Sequence, residues 1–320
     1  MLLYTILIST FIGCQTKNSI PKEIEAYLKE AIDLLENKSV NKNKIDWNEF
    51  RVDVFQKAKN AKKIEDTYTA LAYAVSELND NHSYFKPAFE EGITAENKPL
   101  PILSEEFTPN DIGYIRIPFC IGTENDYDDY ITAISAKIKE QSKKKTKGWI
   151  IDLRGNFGGN MWPMLLSIEP LIGNGTFGYF VDADNQYQAW KLNKGKVFID
   201  DELMFQNKLY EKLDLSDQYL AILTDGKTAS SGEAIAVALK YRMKSKTFGK
   251  PTYGVSTGCV SHQLSDSSTI NLAESVFADK KMNKYGLSIN PDVITDENEA
   301  LKSGIEWIYK MNKTTANIGG

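Results

Sequence analysis

Two short apolar runs constrain the fold most. Gly148 to Leu153 (GWIIDL) and Tyr219 to Thr224 (YLAILT) read as strands, and each runs into a Gly- or Ser-rich turn and then into a helical stretch. Gly113 to Pro118 (GYIRIP) reads as a third strand, with an amphipathic helix from about Tyr127 to Ile138 before the next one. That alternation predicts an α/β core whose functional groups gather where strands end and helices begin. The chain before it is helical in pattern. Ile24, Tyr27, Leu28, Ala31, Ile32 and Leu35 recur at helical intervals between Glu23 and Glu36, and a second helix over Glu65 to Leu78 stops in the turn-forming cluster Asn79, Asp80, Asn81. The expected organisation is a small helical domain over 15–86, a core over 87–312 and a flexible tail over 313–320.

Composition excludes more than it selects. A formal charge of -5 lacks the basic field that phosphate binding needs, so nucleic acid is not the expected partner. The run Lys143, Lys144, Lys145, Lys147 reads as the solvated end of the preceding helix. From Met1 to Gly13 the chain is almost wholly apolar and then meets Cys14. Such a run is shorter than the ~20 residues of a membrane-spanning helix and suits the apolar region of a secretory signal over 1–14. Phe11, Ile12, Gly13 before Cys14 resembles a lipoprotein box, which implies lipidation at Cys14 and attachment to a bacterial cell envelope, facing the periplasm or the cell exterior; Phe11 and the absence of a preceding Lys or Arg depart from the usual pattern. Cys120 and Cys259 would remain, and whether they pair is open.

Two turns carry the chemistry. Leu223 to Lys240 reads LTDGKTASSGEAIAVALK: a strand, a turn at Asp225 and Gly226, and a helix starting near Ser230. A serine there sits beside unpaired N–H groups able to receive the charge of an acyl-transfer intermediate, although Ser230 with Glu233 also satisfies a plain capping box. Ile150 to Gly159 reads IIDLRGNFGG, a strand followed by a glycine loop that lets backbone approach a ligand closely; no Walker pattern is completed here.

Taken in order, IIDLRGNFGG, TASSGEAIAVAL, Gly249 to Gly254 (GKPTYG) and Ile289 to Val293 (INPDV) resemble the successive motifs of the C-terminal-processing, or tail-specific, serine peptidases (serine peptidase family 41), relatives of the tricorn core and the retinoid-binding repeats of the eye. The resemblance covers roughly residues 65 to 305. It implies a crotonase/ClpP-like spiral of β-β-α units, Ser230 as nucleophile, and an oxyanion hole from the N–H groups of Ser231 and of Gly158 or Gly159. It implies a protein or peptide substrate, no cofactor and no metal.

The base is where the chain departs from the common pattern. Aligned without a gap from Ser230, Thr252, Tyr253 and Gly254 are followed by Val255 where that pattern has a lysine, and valine accepts no proton. Lys244, Lys246 and Lys250 are near but out of place, and an exposed lysine stays protonated near neutrality. The tricorn-like branch uses histidine, and this chain has two. His82, in Asp80-Asn81-His82-Ser83, resembles that branch's histidine element and titrates in the right range; His262 is the other candidate. The branch's orienting glutamate would fall at Tyr285, so Asp279, Glu274 or a polar residue near His82 must take that part, with Asp279 the residue chosen; Asp292 is expected to be structural. Phe85 to Gly113 leaves no room for a PDZ domain. The leading reading is a serine endopeptidase, and the alternative is a non-catalytic member that holds a peptide or apolar ligand in the cleft.

Overall fold

The computed structural model describes residues 20–88, 106–296 and 298–318, so Cys14 and the apolar run before it lie outside the described residues. Helix α1 (Lys22–Lys38) buries the six residues marked by the helical period. Helix α2 (Trp47–Lys57) is an addition to the sequence reading: it buries only Phe50 and Val54, too few to print a stripe, and starts at Asp46, whose carboxylate accepts from the N–H groups of Asn48 and Glu49. The expected helix over 65–78 divides into a 3-10 turn (Ile64–Thr67) and α3 (Tyr68–Ser76). These helices do not close a core by themselves. Leu264, Ile270 and Leu272, nearly two hundred residues on, pack into the same cluster, which makes the helical region a layer on the core.

The rest follows in order: β1 (Tyr84–Lys86), β2 (Ile112–Arg116), α4 (Glu124–Ser142), β3 (Gly148–Asp152), α5 (Met161–Ser167), α6 (Glu169–Ile172), β4 (Gly175–Asp182), β5 (Tyr187–Leu192), β6 (Lys196–Ile199), β7 (Glu202–Gln206), β8 (Tyr219–Thr224), α7 (Ser231–Lys240), β9 (Ser245–Gly249), β10 (Thr257–Gln263), β11 (Thr269–Asp279), β12 (Val293–Ile294) and α8 (Ala300–Ile318). Two sheets result. One is parallel, in the order β12-β9-β8-β3-β2; the other is antiparallel, in the order β1-β11-β4-β5-β6-β7, with β10 also pairing with β11.

The parallel sheet is covered on both faces. Trp149, Ile151, Leu220 and Ile222 join the buried residues of α4, α5 and α7 on one side, while Ile150, Ala221 and Leu223 meet Ile308 of α8 on the other. Such strands read as continuous apolar runs, which is why they were legible. Helix α8 continues through Ile318, where the sequence suggested a tail starting at Lys313. Asp292 is structural, as expected: its carboxylate accepts from the N–H and hydroxyl of Thr247 and ties the approach to β12 onto β9.

Candidate active site

Strand β8 ends at Thr224, and the turn after it is built around a buried carboxylate. Asp225 accepts from the N–H groups of Gly155 and Lys227 and from the Thr228 hydroxyl, joining this turn to the glycine loop after β3. The chain then enters α7 through Ser230, whose φ of 52° and ψ of -119° lie where a non-glycine residue is strained. An ordinary capping serine has extended backbone angles. Strain of about 1–3 kcal/mol at a strand-to-helix turn is more than closing a helix requires.

Glu233 holds that conformation. Fully buried, it accepts from the N–H of Ser230 at 2.9 Å, the hydroxyl of Thr252 at 2.5 Å, and the N–H groups of Gly254 and Val255 at 3.1 and 3.0 Å. Burial pushes its carboxyl above the usual range, and the four donors pull the other way. One side chain thus clamps the serine turn to the Thr252-Tyr253-Gly254-Val255 loop. Val255, the residue aligned with the common pattern's lysine, is 4% exposed. Lys244, Lys246 and Lys250 are not among the residues lining the cleft.

The glycine loop lies against the serine. A Cβ on Gly158 would stand 2.9 Å from Cβ of Ser230 and 3.2 Å from the nitrogen of Ser231, and one on Gly159 would stand 2.1 Å from the carbonyl oxygen of Cys120; both have positive φ. The N–H of Gly158 donates to Oδ1 of Asn156 at 2.9 Å, so it is already engaged. Among the described residues the N–H of Gly159 has no such acceptor. Ser231 stands at the first helical position, where an N–H has no intrahelical acceptor, and its hydroxyl bonds to the carbonyl of Gly159.

His82 arrives from the other side. Asp80 makes the turn that carries it: Oδ1 accepts from the N–H groups of His82 and Ser83 at 2.8 and 2.7 Å, and Oδ2 from the Ser83 hydroxyl at 2.6 Å. Flanking Asn79 and Asn81 take positive φ, which asparagine tolerates. Ser83 Oγ accepts from the N–H of Ala273, docking the turn on β11. The imidazole Nδ1 lies 2.7 Å from Thr257 Oγ1 and 3.2 Å from Cys259 Sγ. Burial lowers the His82 pKa below its ordinary 6.5, against the opposing pull of Asp80. Burial also pushes the Cys259 thiol up to about 12, so it is no thiolate at neutral pH. Cys120 and Cys259 are both free thiols.

Ser230 and His82 line one cleft of roughly 860 Å³, together with Gly159, Ser231, Thr257 and Cys259. Its walls include Trp162, Phe180, Met204 and Phe277, an apolar surface suited to side chains of a bound peptide. Asp279 is elsewhere. It is fully buried, spends its carboxylate on the N–H groups of Lys281 and Asn283 and the hydroxyl of Tyr285, and is absent from the cleft lining, so it does not orient His82. Glu274 does line the cleft, but its carboxylate is 2.6 Å from Nε2 of His262, a pairing that occupies the second histidine as well. Sequence reasoning missed Thr257, Asn156 and the clamp role of Glu233. Only Glu233 left a trace there, as half of a capping box.

Peptidase family S41 is matched over residues 111–295. The chain is 26% identical over 295 residues to the nisin-resistance protein of Lactococcus lactis subsp. lactis, a similarity covering 92% of this chain and 90% of that one. It is 28% identical over 181 residues to the carboxy-terminal processing protease CtpA of Bacillus subtilis (strain 168), covering 56% of this chain and 34% of that longer one. Its fold is similar to that of a lipoprotein from Streptococcus agalactiae, with a TM-score of 0.73 at 22% identity over 97% of this chain and 100% of that one.

Proposed function

The chain belongs to peptidase family S41, and from that premise we propose that it is a serine endopeptidase in which Ser230 attacks the peptide carbonyl and His82 is the general base. The observation that carries this reading is the strained backbone of Ser230, opening into the same cleft as an imidazole whose burial disfavours its charged form. His82 takes the hydroxyl proton as the new C–O bond forms, and returns it to the leaving amine as the C–N bond breaks. The N–H groups of Ser231 and Gly159 receive the developing oxyanion. Water then hydrolyses the acyl-enzyme by the same proton path.

Labelling with a fluorophosphonate tests the nucleophile. Wild type should react, and Ser230→Ala and His82→Ala should not. Folded wild type that does not react leaves the scaffold as a holder of a peptide or apolar ligand. The Lactococcus relative is named for resistance to nisin, which makes nisin the first substrate to try, with fragments read by mass spectrometry.

The lipid anchor at Cys14 belongs to the same reading. The apolar run ending at Gly13-Cys14 supports it, as does the lipoprotein identity of the structurally similar Streptococcus protein. Mass spectrometry of the mature N-terminus should find a blocked, lipid-bearing Cys14; an unmodified residue there removes the membrane from the account.

A further inference from the structure

We propose that Thr257 is the positioning residue of this site: its hydroxyl accepts the Nδ1 proton of His82 and so fixes the tautomer that leaves Nε2 free to deprotonate Ser230. The inference rests on His82 being the base. In a serine–histidine pair a third group selects the tautomer, ordinarily by a carboxylate that can only accept. Among the described residues no carboxylate bonds to this ring, whose hydrogen-bond partners are Thr257 Oγ1 at 2.7 Å and Cys259 Sγ at 3.2 Å.

The charged and titratable groups around the ring are otherwise engaged. Asp80, on its own turn, spends both oxygens on His82 N–H and on Ser83. From β11, Glu274 is held by His262, and from β4, Asp182 accepts from the N–H groups of Asp184 and Gln186. Tyr84 lines the cleft from β1 without a bond to the ring. A hydroxyl can donate as well as accept, so something must receive its own proton for Oγ1 to be free for Nδ1–H. Cys259 is the neighbour placed to do this: its sulfur stands 3.2 Å from the same ring nitrogen, and burial pushes its thiol up to about 12, so it stays neutral.

Thr257 is also held still. It is 3% exposed, its N–H donates to the carbonyl of Val255, and it faces Val276 in the pairing of β10 with β11. Val255 is in turn held by Glu233. The clamp on the nucleophile therefore also sets where the positioning hydroxyl stands, through a path of two residues.

A neutral partner has a consequence that a carboxylate would not. It orients the imidazole without stabilising the imidazolium electrostatically, so the base keeps its lowered pKa and works to more acidic pH. Three variants read this out. Thr257→Val should slow fluorophosphonate labelling about tenfold or more, since it withdraws orientation of the general base, while Thr257→Ser restores most of the rate and shows that the strand still folds. Thr257→Asp should raise the His82 pKa and move the acid limb of the rate profile up by about one pH unit.

An independent measurement needs no activity. With only two histidines in the chain, the 15N spectrum of His-labelled protein, assigned with His262→Gln, should show His82 protonated at Nδ1, and Thr257→Val should lose that preference. An Nε2-protonated His82 in wild type overturns the proposal. So does a Thr257→Val enzyme labelled at the wild-type rate, or loss of rate on Cys259→Ala with Thr257→Val unaffected. Failure of wild type to label at all, or labelling that persists in Ser230→Ala, instead overturns the nucleophile assignment, and the tautomer measurement still decides Thr257.

Discussion

Ser230 stands on the parallel sheet, where β3 and β8 are buried on both faces between helices. His82 stands on a turn before β1, a strand of three residues, and meets partners on β10, 175 and 177 positions further along. The first side of the cleft is local in construction. Gly155, Asn156, Gly158 and Asp225 bind the two turns that follow neighbouring strands, and Glu233 reaches back only three residues to Ser230. The other side is assembled across the whole chain, by an Asp80 turn docked on Ala273 and a threonine from a hairpin. The lesson is that Ser230 and the glycine loop come pre-built with one sheet, while His82, the proposed base, enters the cleft only when the helical layer docks on the other.

Breaking the local side should have the largest effects. Gly159→Ala places a Cβ 2.1 Å from a backbone carbonyl, and little folded protein is expected by circular dichroism. Gly158→Ala meets Cβ of Ser230 at 2.9 Å and takes a φ of 115° that alanine resists; the chain should fold but label at least about a hundredfold more slowly, as the oxyanion geometry is lost.

Leu272→Ala tests the assembled side. That residue is fully buried in the cluster shared by α1, α3 and the β10–β11 hairpin, so a cost of about 2–5 kcal/mol is expected in chemical denaturation. If the helical layer is part of one core, the transition remains single. A separate early transition for residues 20–78 would make it an independent unit and weaken the comparison.

Glu233→Gln turns an acceptor of four donors into a side chain that must aim an amide at some of them. It should cost about 2–3 kcal/mol in thermal unfolding and slow labelling, since a charged acceptor is worth more than a neutral one. The smallest effect is on pH. Because the folded pKa of His82 lies below its ordinary 6.5, the acid limb of the labelling rate should have its midpoint below that value. The unfolded chain takes up that proton first as pH falls, so this group's contribution to stability is lost from about pH 6.5 downward and is level below the folded pKa. His82→Gln should flatten that part of the stability profile, and an unchanged profile would show that the imidazole is not buried as described.

Legibility follows the same division. Strands β3 and β8 appeared with nearly correct bounds because two-faced burial makes unbroken apolar runs. The meander β4 to β7 has exposed and half-buried positions throughout, and leaves no comparable run. Asp279 was the carboxylate near Tyr285, where the branch's orienting glutamate would fall; the fold turns it into the β11 turn instead, onto Asn283 and Tyr285.

The sequence by itself determined the strand–turn–helix units, the family motifs, and the serine with its neighbouring backbone donors, since each depends on residues close along the chain. Only the tertiary structure decided that Gly158's N–H is spent on Asn156, that His262 belongs to Glu274, and that a threonine rather than a carboxylate meets His82. Those outcomes depend on which face of β11 and β10 turns toward the cleft and on the docking of the helical layer. Long-range register leaves no periodic mark on the residues it brings together.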